Sequence, residues 1–89
     1  MERPMEAMPQ GSPLTDLVSL IAKSLVDQPD RVMVREVQGE RFPRIELSVA
    51  REDIGKIIGK DGRTAQSIRT LLNAAASKIG YRAHLDILD

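Results

Sequence analysis

Eighty-nine residues, 42% hydrophobic and 29% charged, provide for one small core and no second domain. The absence of cysteine removes disulfides, thiolate zinc sites, iron–sulfur clusters and cysteine nucleophiles, and fits a reducing, cytoplasmic setting. Thirteen basic residues balance thirteen acids, yet the stretch from Ile54 to Arg82 holds Lys56, Lys60, Arg63, Arg69, Lys78 and Arg82 against the single acid Asp61, a polarity that points to an anionic partner on one face.

Residues 1–12 mix prolines, methionines and charges without periodicity, and are expected to form a disordered tail. They resemble neither a signal peptide nor an anchor, and no apolar run in the chain approaches the length of a membrane span, so no membrane insertion is expected. The domain is expected over residues 13–89. Ser12 is placed to cap a helix with Pro13 at its first position, and Leu14, Leu17, Val18, Ile21 and Leu25 then recur as one apolar stripe. Asp27-Gln28-Pro29-Asp30 ends that helix. Val32, Val34 and Val37, a turn at Gln38-Gly39-Glu40, and then Ile45, Leu47 and Val49 in alternation predict a hairpin, with Pro43 marking an irregular start to its second strand. A short helix with Ile54, Ile57 and Ile58 follows, and Gly55 within it is read as a close-packing position. Gly59-Lys60-Asp61-Gly62 interrupts the pattern. A long helix then carries Ala65, Ile68, Leu72, Ala75, Ala76 and Ile79, with Gly80 at its C-terminal cap, and Ala83, Leu85 and Ile87 alternate as a third strand. The order α-β-β-α-α-β predicts an α+β fold, a three-stranded sheet covered on one face by three helices.

Four residues, two of them glycine, join the last two helices, and this connection is the most informative part of the chain. Glycines at both ends allow a tight turn and leave no side chain between backbone and ligand. The turn leads into the N-terminus of the long helix, where unpaired N–H groups and the helix dipole favour an anion, and Lys60 and Arg63 add full charges beside it. A phosphate suits such a site. A nucleotide-hydrolysing loop is excluded by the spacing of Gly55-Lys56-Ile57-Ile58-Gly59-Lys60-Asp61 and by the acid at its end, and a dinucleotide fingerprint lacks its third glycine and its parallel βαβ setting.

The run Ile57-Ile58-Gly59-Lys60-Asp61-Gly62-Arg63-Thr64-Ala65-Gln66-Ser67-Ile68 resembles the core motif of a KH domain, and the element order matches its type II arrangement. Across most of the chain, from Leu14 through Arg69-Thr70-Leu71-Leu72, the sequence is similar to the KhpA family of small bacterial single-KH proteins. That resemblance implies a cytoplasmic protein that binds single-stranded RNA, acts as an RNA chaperone, pairs with a KhpB-type KH partner, and influences cell envelope growth, cell wall biogenesis and cell shape. It implies that Gly59 and Gly62 admit the sugar-phosphate backbone and that Lys60, Arg63 and Lys56 supply charge. Asp61 lies inside the same loop as an acid. Ile54, Ile57 and Ile58, with Leu47 or Val49, are implied as the apolar groove for bases. The alternative is an interaction module that keeps the fold and binds RNA weakly or not at all.

Only Phe42 and Tyr81 are aromatic, too few for a stacking platform of the kind that other RNA-binding sheets use. His84, the single histidine, falls on the outward side of its strand and has no second residue with which to build a catalytic or metal set, so no enzyme and no cofactor are expected. The long helix carries more apolar residues than one buried stripe needs. Leu71, with Ile68 and Leu72, is therefore expected to form a surface for a homodimer or for a heterodimer with a second KH protein.

Overall fold

The computed structural model describes residues 13–88. The predicted tail, the Ser12 cap and Asp89 lie outside these residues. The elements are α1 (Pro13–Leu25), β1 (Met33–Val37), β2 (Arg44–Ser48), α2 (Ile54–Ile58), α3 (Arg63–Lys78) and β3 (His84–Ile87), in the predicted order. β2 lies at the centre of the sheet, antiparallel to β1 and parallel to β3.

Strand periodicity fixes which face is covered. Val34 stands opposite Leu47, and Ile45 and Leu47 pair in register with Leu85 and Ile87, so these side chains share the face under the helices. Leu14, Val18 and Ala22 of α1, Ala65, Ile68, Leu72 and Ala76 of α3 and Ile57 from α2 are buried against it, as are Ala50 and Ala83 in the connections. The opposite face carries Arg35, Arg44, Glu46, His84 and Asp86 and is open to solvent at its margins.

Three local expectations need correction. The α1 stripe is centred on Leu14, Val18 and Ala22 and continues to Val26, which packs against the core with its amide on the Ala22 carbonyl, so Leu25 turns away and is exposed. The tight turn at Gln38-Gly39-Glu40 is a longer loop reaching Pro43. Lacking an N–H, Pro43 cannot donate to the ladder, so β2 begins one residue later, while the Pro43 carbonyl accepts from the His84 amide at 3.1 Å. Gly55 is not a packing position: it is exposed, and a methyl group built there meets nothing within 4 Å.

The end of α3 follows the sequence reading closely. Gly80 takes a left-handed φ of 70°, its amide donates to the Ser77 carbonyl at 3.1 Å, and the Tyr81 amide reaches back to the Ala76 carbonyl at 2.8 Å. These are the paired bonds of a Schellman cap, and they fix where Tyr81 and Arg82 leave the helix.

Candidate functional site

The glycine connection is a turn that only its glycines permit. Gly59 has φ 76° and ψ 174°, a region open in practice to glycine alone, and a β-carbon there would also overlap the side chain of Thr64. Gly62 has φ 75° and ψ 12°, with open space around it, so its requirement is conformational rather than steric. Between them Asp61 holds a left-handed conformation at φ 56°, tolerable for an aspartate. The Gly59 amide closes α2 onto the Gly55 carbonyl at 2.8 Å, and the Gly62 amide closes the turn onto the Gly59 carbonyl at 3.1 Å.

Lys60, Asp61 and Arg63 are exposed, and none has an ion-pair partner among the described residues. The turn thus presents two unneutralised cations and one acid at the start of a sixteen-residue helix. Beside it Ile54 and Ile58, four apart on α2, are half-buried and share one helix face. Because Gly55 adds no side chain next to them, this face stays low. Ile57 and Leu47 are fully buried, so the sequence-based groove divides: these two are core, and Ile54, Ile58 and Val49 remain accessible.

Lys56 departs from its expected place among the loop cations. Its Nζ lies 3.2 Å from an Asp27 carboxylate oxygen and 3.7 Å from Asp53, and the hydrogen bond to Asp27, with the charge of that acid, raises its pKa above 10.5. Its charge is already matched. Asp53, read from sequence only as an early helix acid, is 1% exposed, and its two oxygens accept the backbone amides of Asp27 (3.3 Å) and Gln28 (3.1 Å). A buried carboxylate therefore ties the chain leaving α1 to the helix that leads into the glycine turn. Removing it would break both bonds, each of which contributes about 0.5–1.5 kcal/mol.

The expected association surface also divides. Leu71 is 53% exposed, whereas Ile68 and Leu72 are 2% and 1% exposed and belong to the core. Each such side chain contributes about 1.5–3 kcal/mol by its burial, so neither is free to face a partner. Ile79, expected in the buried stripe, is instead exposed beside the cap. His84 is exposed as expected, with its ring 5.4 Å from that of Phe42. No group of three or more histidine, aspartate or glutamate side chains suited to a metal occurs among the described residues, and none of their helices is long and apolar enough to cross a membrane.

A three-stranded mixed sheet, three helices on one face and a Gly-x-x-Gly turn between α2 and α3 define a KH domain of type II topology. The model of the KhpA/KhpB KH domain matches residues 15–87, and the chain belongs to that family. It is 55% identical over 73 residues to the RNA-binding protein KhpA of Caldanaerobacter subterraneus, covering 82% of this chain and 97% of that one. It is 50% identical over 78 residues to the RNA-binding protein KhpA of Aquifex aeolicus, covering 88% and 99% respectively. These names denote binding proteins, and the family is not one of enzymes. Among solved structures, Era in complex with MgGDPNP and nucleotides 1506–1542 of 16S ribosomal RNA shares the fold, with a TM-score of 0.62 and 21% identity over 89% of this chain. The chain spans 35% of that much larger protein.

Proposed function

We propose that this protein binds single-stranded RNA through the turn formed by Gly59, Lys60, Asp61, Gly62 and Arg63, with bases lying on the face of Ile54 and Ile58. The observation that carries this reading is the pair of unneutralised cations, Lys60 and Arg63, held by a glycine turn at the head of α3. The names of the KhpA relatives support it. A turn of this kind holds about four nucleotides by their backbone, so affinity is modest and sequence preference slight. Within that activity, the family likeness supports a cytoplasmic RNA chaperone that acts with a KhpB-type partner in post-transcriptional control of cell envelope growth and cell shape.

The test is a titration of unstructured RNA at two salt concentrations with wild type and Lys60→Asp. Wild-type affinity falls as salt rises, because phosphate contacts release counterions. Lys60→Asp sets two acids side by side in the turn and lowers affinity about a hundredfold while the circular dichroism spectrum is unchanged. Equal binding by the two proteins would overturn the assignment and favour an interaction module without RNA binding.

The exposure of Leu71 supports association of two KH domains through α3, as a homodimer or with a KhpB-type protein. Pairing two weak sites raises avidity. Leu71→Glu should stay folded and sediment as a monomer. A folded variant that remains dimeric would place the interface elsewhere.

A further inference from the structure

Both aromatic residues of the chain line one cleft of about 390 Å³ at the end of α3 remote from the glycine turn. Phe42 comes from the β1–β2 loop, and Tyr81 is set by the Schellman cap. The Arg82 guanidinium carbon lies 5.1 Å from the centre of the Phe42 ring, a cation–π contact that holds an otherwise mobile side chain in one place. An adjoining cleft shares Phe42, Tyr81 and Arg82 and adds Arg41. Arg41 and Arg82 have no acidic partner among the described residues, and no acid lines either cleft. Glu36, outside the lining, accepts the Tyr81 hydroxyl at 2.8 Å.

The clefts also continue toward the glycine turn. Arg69 and Asn73 line a smaller recess against β3, and Asn73 and Ser77 line the larger one, so a single flank of α3 presents Arg69, Asn73 and Ser77 in succession. From Arg69 to Ser77 that flank is about 12 Å long at 1.5 Å per residue. Along it the lining carries cations and neutral donors and no carboxylate.

We propose that this cleft is a second nucleotide subsite, which takes a base and phosphate of the same RNA strand beyond the segment held at the turn. The inference rests on the RNA-binding reading above. A guanidinium stacked on Phe42 keeps its other face for a base and its N–H edge for a phosphate, while Asn73 and Ser77 face the base or ribose. Charge complementarity favours an anionic occupant over an apolar peptide, and the pairing of Phe42 with the Arg82 guanidinium favours a base over the side chains of an acidic peptide. A peptide segment would need no aromatic–arginine pair in line with Arg69 and the amide and hydroxyl of Asn73 and Ser77.

The test compares four-nucleotide and eight-nucleotide unstructured RNAs on wild type, Phe42→Leu and Arg82→Lys. Leucine keeps apolar volume, and lysine keeps charge without a stacking plane. Wild type should bind the longer RNA about tenfold more tightly, the scale of one base stack, and both variants should lose that gain while binding the shorter RNA unchanged. A gain that persists in both variants overturns the subsite. In a second measurement, adenosine monophosphate should shift the amide resonances of residues 80–84 in wild type and not in Phe42→Leu. Identical shifts with inorganic phosphate, or no shift, would also overturn it. Because this readout bypasses the turn, failure there and failure of Lys60→Asp to weaken RNA binding are separate results.

Discussion

The open face of the sheet and the glycine turn use the same kinds of residue in opposite ways. On the sheet, Arg35 Nε lies 3.0 Å from Glu46, and Arg44 lies 3.6 Å from Glu46 and 3.5 Å from Asp86, so each cation is matched within the pleat. At the turn, Lys60 and Arg63 have no acidic partner among the described residues, and the nearby Lys56 has been drawn off by Asp27 and Asp53. A chain of zero net charge can therefore hold a local positive field, because only Asp61 of its acids lies in the turn beside Lys60 and Arg63. Where the acids are placed says more about ligand attraction than how many there are.

The largest expected effect is Gly59→Ala. Alanine must adopt a glycine-only backbone region and also displace Thr64, so the variant should lose about 3 kcal/mol in urea unfolding or bind RNA too weakly to measure. Wild-type stability together with wild-type binding would mean that the turn relaxes freely and does not hold the ligand. Gly62→Ala, free of the steric term, should cost about 1–2 kcal/mol less.

A paired measurement then sharpens the contrast of charges. Asp61→Asn keeps a side chain that tolerates the left-handed conformation and removes the acid, so RNA affinity should rise about threefold at low salt and the gain should shrink at high salt. Glu46→Gln removes the same charge from the open face. Its effect on RNA affinity should stay within about twofold, and its stability cost should be about 1–2 kcal/mol, since Glu46 is half-buried and pairs with both Arg35 and Arg44. Equal effects at the two positions would show that total charge, not placement, sets affinity.

The smallest effect is spectroscopic. The hydrogen bond to Glu36, assisted by burial and by the negative charge of that acid, raises the Tyr81 pKa above 10.0. A raised folded pKa means that the stabilisation is complete below the unfolded value and disappears as pH climbs through the folded one. Since Tyr81 is the only tyrosine, its phenolate absorbance reports the group directly. Its midpoint should lie above 10.0 and return toward it in Glu36→Gln. An unchanged midpoint would remove Glu36 from the support of the aromatic cleft.

The sequence carries the order of elements and the turn, because periodicity and glycine spacing are local properties. Leu14, Val18, Ile68 and Leu72 are legible as core for that reason. The buried Asp53 is not: it bonds amides 25 and 26 residues away, and an acid at a helix start has an ordinary local explanation. Lys56 misleads for the same cause, since its partner Asp27 precedes the whole hairpin. Phe42, Arg82 and His84 come together only when the β1–β2 loop meets the start of β3, although Phe42 and Tyr81 each stand beside an arginine in the chain.

Parallel pairing of β2 with β3 has a consequence for how the chain acquires its ligand site. A parallel neighbour cannot be reached by a short turn, so α2, the glycine turn and α3 all lie within one crossover between the two strands. During synthesis the ribosome releases the hairpin and the turn before residues 84–87. Until β3 docks beside β2, α3 can pack on α1 and α2, but Leu72 and Ala76 share a core that still lacks Leu85. The last strand of the chain therefore closes the core beneath the helix that carries the turn, so the support of the turn is complete only when the whole described chain is folded.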